Sequence, residues 1–591
     1  MAKKRRGGQP HPLFAGILFV IVVAAIIVVS IVVQKYRPSD TQADLFSYYE
    51  IEDADSQVVM YLDLESTDTS SILYDGDIYL TLAMAQQLDE RFYYDANENI
   101  LIYTTPTETI RANEGETCFT VKSSTDTGYV IVLEQNGTVY VNLKFLELYT
   151  NVTHTAWDDD ENAPVRVLVW TKQHDLTVAN AKQDAVVRTA ATIKDDIVEE
   201  PASGSRVTVL SEADGWYYVM TENGHLGYIR TKDVGATSVV EDTASYDEAE
   251  YTSLTSDEKI HMVWHQVTNQ TANDNLLNMM SGTKGINVIS PTWFSLSDAN
   301  GNFTSLADTD YVEDAHNLLS CEVWALIDDF GTDEDGSHWV NQVLPYTSKR
   351  TNLINQLIIA ARTYGFDGIN IDFEYISSSI AEDYIQFLRE LSVECRNEGI
   401  VLSVDNYVPK SYNLYYDREE QGILCDYVII MGYDEHNSSS DSAGSVASLE
   451  FVLNGILDTL EEVPAGKVIN AVPFYTRVWT ETPEEYAEDG DEIIEDAVNG
   501  NYVLESYAVG MDAAAELIAD NNATKVWLED LGQYYAEYTS GNSTVRIWLE
   551  DAASMTEKLK LIQEYDLAGV AGWKLGLESS DVWDLIVNYV K

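Results

Sequence analysis

The chain has 591 residues, 45% hydrophobic and 23% charged, with 33 glycines and 12 prolines. That excludes a wholly disordered, collagenous or all-membrane protein and leaves room for several domains. Acids number 98 against 35 bases, a formal net charge of -63, and so negative a surface repels phosphate backbones, making nucleic acid a poor partner.

Six of the bases and none of the acids fall in the first 37 residues. Residues 13–33 read LFAGILFVIVVAAIIVVSIVV. At 1.5 Å per residue such a helix spans about 30 Å of hydrocarbon. The preceding MAKKRR keeps residues 1–12 in the cytoplasm by the positive-inside rule and sends the rest of the chain outside. A cleaved secretory signal is the rival reading, but the apolar core is long and QKYRPSD follows in place of a small-residue exit. Residues 36–56 read as a polar stalk.

From residue 57 the pattern changes to short alternating runs divided by Asp-Gly and Asn-Gly turns, which predicts a small β-rich domain over 57–160 with one short helix at Leu82–Leu88. A second β-rich unit covers 164–235. Its pieces Gly215-Trp216-Tyr217-Tyr218-Val219 and Gly227-Tyr228-Ile229 resemble bacterial SH3-like modules of cell-wall proteins. That resemblance implies a small barrel which contacts wall peptides, and a plain spacer is the alternative. Residues 236–257 are polar and acidic and read as a linker.

Residues 258–591 alternate strand-like runs with helical ones. Eight strand candidates, from IHMVWHQV to LAGVAGWKLG, predict an α/β fold, a (β/α)8 TIM barrel. A doubly wound open sheet is the alternative. In a barrel, chemistry gathers where the strands end, and these runs end in His265, Trp293, Asp328, Glu374, Asn406, Tyr433 and Trp573. Residues 480–549 break the pattern and predict an α+β insertion between the seventh and eighth strands, with a hairpin turn at Gly541-Asn542.

The sharpest feature is FDGINIDFEYI, residues 366–376. Strand alternation puts Asn370, Asp372 and Glu374 on one face and Ile369, Ile371 and Phe373 on the other. A polar strand face inside a barrel is costly unless its groups are paired or used. Two carboxyls about 6–7 Å apart along one face raise at least one pKa, which suits a general acid near neutral pH.

The same run resembles the signature of glycoside hydrolase family 18, the chitinase-like hydrolases, whose pattern is Asp-x-x-Asp-x-Asp-x-Glu. Here it stands as Asp367, Asn370, Asp372 and Glu374. Asn370 departs from the pattern and removes one buried charge and one stage of proton sharing. Met431-Gly432-Tyr433-Asp434, Pro473-Phe474-Tyr475 and Trp573 resemble the sixth-, seventh- and eighth-strand motifs. Among the family's branches the chain looks most like wall-directed and spore-cortex-directed enzymes.

The resemblance implies a substrate-assisted retaining mechanism on polymers with N-acetylated sugars, peptidoglycan or chitin-like. Glu374 would protonate the glycosidic oxygen, Asp372 would hold the acetamide that attacks, and Tyr433 would donate to its carbonyl. Trp573 would press on the sugar face. Tyr475, Trp293, Met431, Asn406 and Asp434 are substrate-binding candidates, and Asp367 and Asn370 supporting ones. A sugar-binding surface protein without turnover is the alternative function.

No cofactor is signalled. His261 and His265 share a strand face too far apart for one metal, and His436 stands alone, so no metal site is expected. Cys118, Cys321, Cys395 and Cys425 form no CxxC pair and read as ordinary thiols.

Overall fold

A computed structural model describes residues 12–53, 55–67, 71–171, 175–241, 250–488, 490–496 and 500–591. The basic tail and the middle of the expected linker, 242–249, lie outside the described residues. The helix Pro12–Tyr36 is 25 residues long. Its Gly16–Tyr36 portion has a hydropathy of 3.4 and is long and apolar enough to cross a membrane.

The chain divides into two compact units. The first carries three sheets. One places Val59–Leu62 between Glu65–Thr67 and Arg166–Trp170, with Thr153–Trp157 at its edge. The strand Arg166–Trp170, expected in the second β unit, therefore completes the sheet of the first, since its apolar run pairs in parallel with Val59–Leu62. A second sheet is two hairpins. Asp75-Gly76 and Asn136-Gly137 turn them, all four residues at positive φ, the backbone of a type I′ turn. Besides the expected helix Leu82–Leu88, a second short helix, Leu143–Tyr149, follows the strand Thr138–Asn142. Asn142 caps it, accepting from the Lys144 N–H at 2.9 Å. The third sheet has seven strands around the meander Arg206–Ala213, Trp216–Thr221 and Leu226–Arg230. The expected stalk packs on it: Leu45 is buried and the Tyr48 hydroxyl donates to the Leu226 carbonyl at 3.1 Å. The start of the expected linker adds an edge strand, Ser238–Val240.

The second unit holds a closed barrel of eight parallel strands: β1 Ile260–His265, β2 Val288–Leu296, β3 Glu322–Asp328, β4 Gly368–Asp372, β5 Val401–Tyr407, β6 Tyr427–Met431, β7 Val468–Pro473 and β8 Gly569–Trp573. Each pairs with its neighbours in chain order, and β8 closes on β1. Ile369, Ile371, Val404 and Val428 are buried on the outer face, under helices such as Thr347–Tyr364 and Ala381–Glu398. Both of these end at a glycine in the left-handed region, Gly365 and Gly399, where a Cβ would be strained.

The segment Tyr93–Arg111 belongs to this same unit, although its sequence groups it with the β-rich region. Asp95 holds it in place by capping a barrel helix: one carboxylate oxygen accepts from the Thr347 N–H and hydroxyl, both at 2.6 Å. Glu98 does the same for Ser348, at 2.7 and 2.6 Å. Arg111 pairs with Glu390 at 2.6 Å, which also pairs with the wholly buried Arg350 at 2.9 Å.

The insertion between β7 and β8 is a five-stranded antiparallel sheet backed by the helix Met511–Asp520. Its first strand, Tyr475–Pro483, begins before residue 480. The run KVINAVPFYTRVW is continuous in sequence but breaks at Phe474, one part staying in the barrel and the other leaving it.

Candidate active site

A cavity of about 490 Å³ opens at the carboxyl ends of the barrel strands. Asp372, Glu374, Tyr433, Asp434, Met431 and Trp573 all line it. Strand alternation accounts for the first two. Asn370 and Asp372 point inward from β4, and Glu374 follows just beyond the strand's end on the same side.

Glu374 is half-buried, and Asp329 and Tyr407 fix it. Its own backbone N–H and that of Tyr375 each donate to Asp329, both at 2.9 Å. The Tyr407 hydroxyl donates to its Oε2. Burial pushes the Glu374 pKa above the ordinary carboxylate value. The Tyr407 hydroxyl pulls it down, while the charges of Asp434 and Asp328 add to the rise. Asp372 is only 6% exposed, and its Oδ1 has no hydrogen-bond partner. Burial, then the charge of Asp405, then that of Glu374, hold its carboxyl well above the usual range. Asp329 is fully buried, and burial raises it to about 7 against the pull of the two N–H groups. A raised carboxyl keeps its proton to higher pH than a free one, which is what a proton donor requires.

Tyr433 is buried, and burial, with Tyr475 beside it, holds its hydroxyl well above its ordinary pKa. It therefore stays a donor at any working pH. Trp573 forms a half-buried floor, its ring edge-on to Trp264 at 5.7 Å. Below the cavity, Asn370 is fully buried. Its Oδ1 accepts from the Trp264 indole at 3.0 Å and the Ser290 hydroxyl at 3.1 Å, and its Nδ2 donates to Asp405 at 2.9 Å.

Other expected site residues lie elsewhere. Asn406 faces away from the cavity and exchanges hydrogen bonds with Gln421 of the helix Arg418–Leu424, at 2.6 and 3.3 Å. On β5 the inward residues are Ser403, Asp405 and Tyr407, so the choice of Asn406 is off by one residue, and one residue flips the face. Trp293 touches the cavity but is 1% exposed, with its indole N–H given to Asn273 at 3.0 Å. Little of that ring is left for a sugar. Tyr475 lies behind the lining, its hydroxyl donating to Asp434. Asp367 sits at the opposite, amino end of β4, where it accepts from the Val323 N–H at 2.8 Å and pairs with His316. Its part there is structural. His265 is buried against Tyr311, and burial depresses it to about 4, so it is neutral.

Asp405, Tyr407 and Asp329 went unrecognised in the sequence. The alternation in VLSVDNY carried a signal for the first two. Nothing distinguished Asp329 from other acids in so acidic a chain.

Residues 326–578 match the family model described as glycosyl hydrolases family 18, a stretch that runs from within β3 past β8. The chain is 30% identical over 253 residues to the cortical fragment-lytic enzyme of Bacillus subtilis (strain 168), covering 41% of this chain and 53% of that one. It is 30% identical over 252 residues to the protein YdhD of the same organism, covering 40% and 54%. The chain thus spans about half the length of these curated relatives. Among solved structures, the spore cortex-lytic enzyme SleL of Bacillus megaterium QM B1551 aligns at 20% identity with a TM-score of 0.47, covering 60% of this chain and 80% of that one.

Proposed function

We propose that this protein is a membrane-anchored glycoside hydrolase that cuts β-linked polymers of N-acetylated sugars by a substrate-assisted retaining mechanism. The observation that carries the reading is one cavity lined by Glu374, Asp372, Tyr433 and Trp573 together. Glu374, whose proton burial holds more firmly, gives that proton to the glycosidic oxygen. The substrate's own acetamide oxygen attacks the anomeric carbon, so no enzyme carboxylate becomes a nucleophile. Asp372 faces the acetamide nitrogen and balances the charge of the oxazolinium. Tyr433 donates to the acetamide oxygen and aims it, and Trp573 supports the sugar's apolar face. Water, deprotonated by the now anionic Glu374, then opens the oxazolinium with retention.

Similarity to a relative named for lysis of cortical fragments supports a wall-derived polymer over chitin. The apolar helix Pro12–Tyr36, behind a basic leader, supports a single span with the catalytic unit outside the cell. The seven-stranded sheet, with the Trp216–Thr221 and Leu226–Arg230 strands, is our candidate for a wall-contacting SH3-like module.

Product analysis tests the reading. The full-length protein is incubated with purified peptidoglycan and with chitin oligomers, and mass spectrometry identifies the new ends. Release of fragments with reducing N-acetylated sugar, and none from de-N-acetylated substrate, is expected. Equal rates on polymers with and without the 2-acetamido group would falsify substrate assistance.

A further inference from the structure

We propose that Asp405 is a positioning residue for Asp372, the two carboxyls forming a unit across β4 and β5 that holds a single proton in the resting site. The inference rests on the reading of Asp372 as the group that faces the acetamide.

The sheet register puts the two together. Asn370 pairs with Ser403 and Ile371 with Val404, so Asp372 and Asp405 come next on adjacent strands, which lie about 4.8 Å apart. Both point into the cavity and both are buried, at 6% and 3% exposure. Two acceptors that close, shut off from water, cannot both be charged. Asn370 sets the arrangement. Its oxygen is taken by Trp264 and Ser290, which leaves its Nδ2 to hold Asp405. An amide here cannot take up a proton, so β4 has one carboxyl fewer than the family pattern. The missing carboxyl stands one strand over. The unpartnered Oδ1 of Asp372 is the natural resting place for the shared proton. When the acetamide N–H arrives, the proton passes from Asp372 to Asp405. Asp372 is left anionic beside the forming oxazolinium, and the pair's total charge is unchanged. The other titratable groups facing the pair are Glu374, Asp328, Asp329, Tyr407 and Tyr384, with Tyr433 across the cavity.

Two measurements on the full-length protein test this. The first is a difference potentiometric titration of wild type against Asp405→Asn. The wild type should retain one proton near neutral pH that the variant has lost. A difference confined to about pH 4, where an independent aspartate titrates, overturns the pairing. This readout does not depend on the protein being an enzyme. The second is kinetic, on tetra-N-acetylchitotetraose or wall fragments. Asp405→Asn should lower kcat by roughly 10-fold or more with KM nearly unchanged and an altered kcat–pH profile. Adding Asn370→Asp should return most of the rate, because the carboxyl is restored on β4. An unchanged kcat and pH profile in Asp405→Asn, or no recovery in the double variant, refutes the role. Wild-type protein that cuts no substrate, with the titration as expected, would instead count against the proposed function and leave the proton pair standing.

Discussion

Two sets of buried carboxyls lie within the barrel unit, one at the mouth of the strands and one among the wrapping helices. In the helical shell the partners are cations. Glu390 lies between Arg350 and Arg111, and these two outweigh burial and hold its pKa below the usual value. At the mouth the hydrogen-bond donors are hydroxyls, an amide and backbone N–H groups: Tyr407 on Glu374, Asn370 on Asp405, Tyr475 on Asp434 and the Glu374 and Tyr375 backbone on Asp329. There burial prevails, and every one of these carboxyls is raised. The same functional group is thus drawn toward the anion in one place and toward the acid in the other. The difference between Glu390 and the mouth carboxyls lies in their neighbours, two guanidinium groups in the one case and hydroxyl, amide and N–H donors in the other.

The contrast can be broken at either end. At the mouth, Glu374→Gln removes the proposed proton donor with little change of shape. Turnover should fall by roughly 1,000-fold or more while oligosaccharide affinity persists, as read by single-turnover kinetics beside calorimetric binding. Normal turnover would sink the assignment of the acid. In the shell, Glu390→Gln leaves Arg350 and Arg111 without a counter-charge. It should cost about 3–5 kcal/mol in denaturant unfolding, with kcat per folded molecule unchanged. A smaller loss would mean that the shell pairs are not what fixes these helices.

Asp329 offers the finest test, because its folded pKa, about 7, lies above its unfolded value of about 3.9. Its folded form therefore binds the extra proton between those values. Stability from this group is full below about pH 4 and is lost as pH rises through about 7. In Asp329→Asn the melting temperature should fall less steeply over that window. Its kcat should also drop by roughly 10-fold, since the new amide N–H turns against one of the two backbone donors. An unaltered pH slope would remove Asp329 from the raised carboxyls of the mouth.

Much of this was legible in the sequence where one face of an element is apolar. FDGINIDFEYI could be read because Ile369 and Ile371 mark its outer face, leaving Asn370 and Asp372 inside. VLSVDNY was harder. Asp405 and Asn406 are both polar, and only the alternation anchored by Leu402 and Val404 separates the one in the cavity from the one under a helix. Asp329 had no periodic signal, since it acts from just beyond the end of β3 on a backbone it meets only in the folded state. The helix Leu143–Tyr149 gave no clear sign of itself for a local reason. Its apolar run is short enough to suit either conformation, and the Asn142 cap decided the matter. Asp95 is a helix cap supplied from some 250 positions upstream, and no local window shows such a contact.

That remote cap has a practical consequence. The helix Thr347–Tyr364 leads into β4, and Ala381–Glu398 leaves it, so the strand bearing Asp372 is flanked by two helices that both bear on residues 93–111. Asp95 closes the start of the first, and Arg111 neutralises Glu390 on the second. A protein trimmed to begin at residue 258 would keep all eight strands and every cavity residue, yet release the brace on both sides of the strand that carries Asp372. The compact unit that holds the barrel is discontinuous in sequence, and a gene fragment cut at the apparent linker would discard a piece of it.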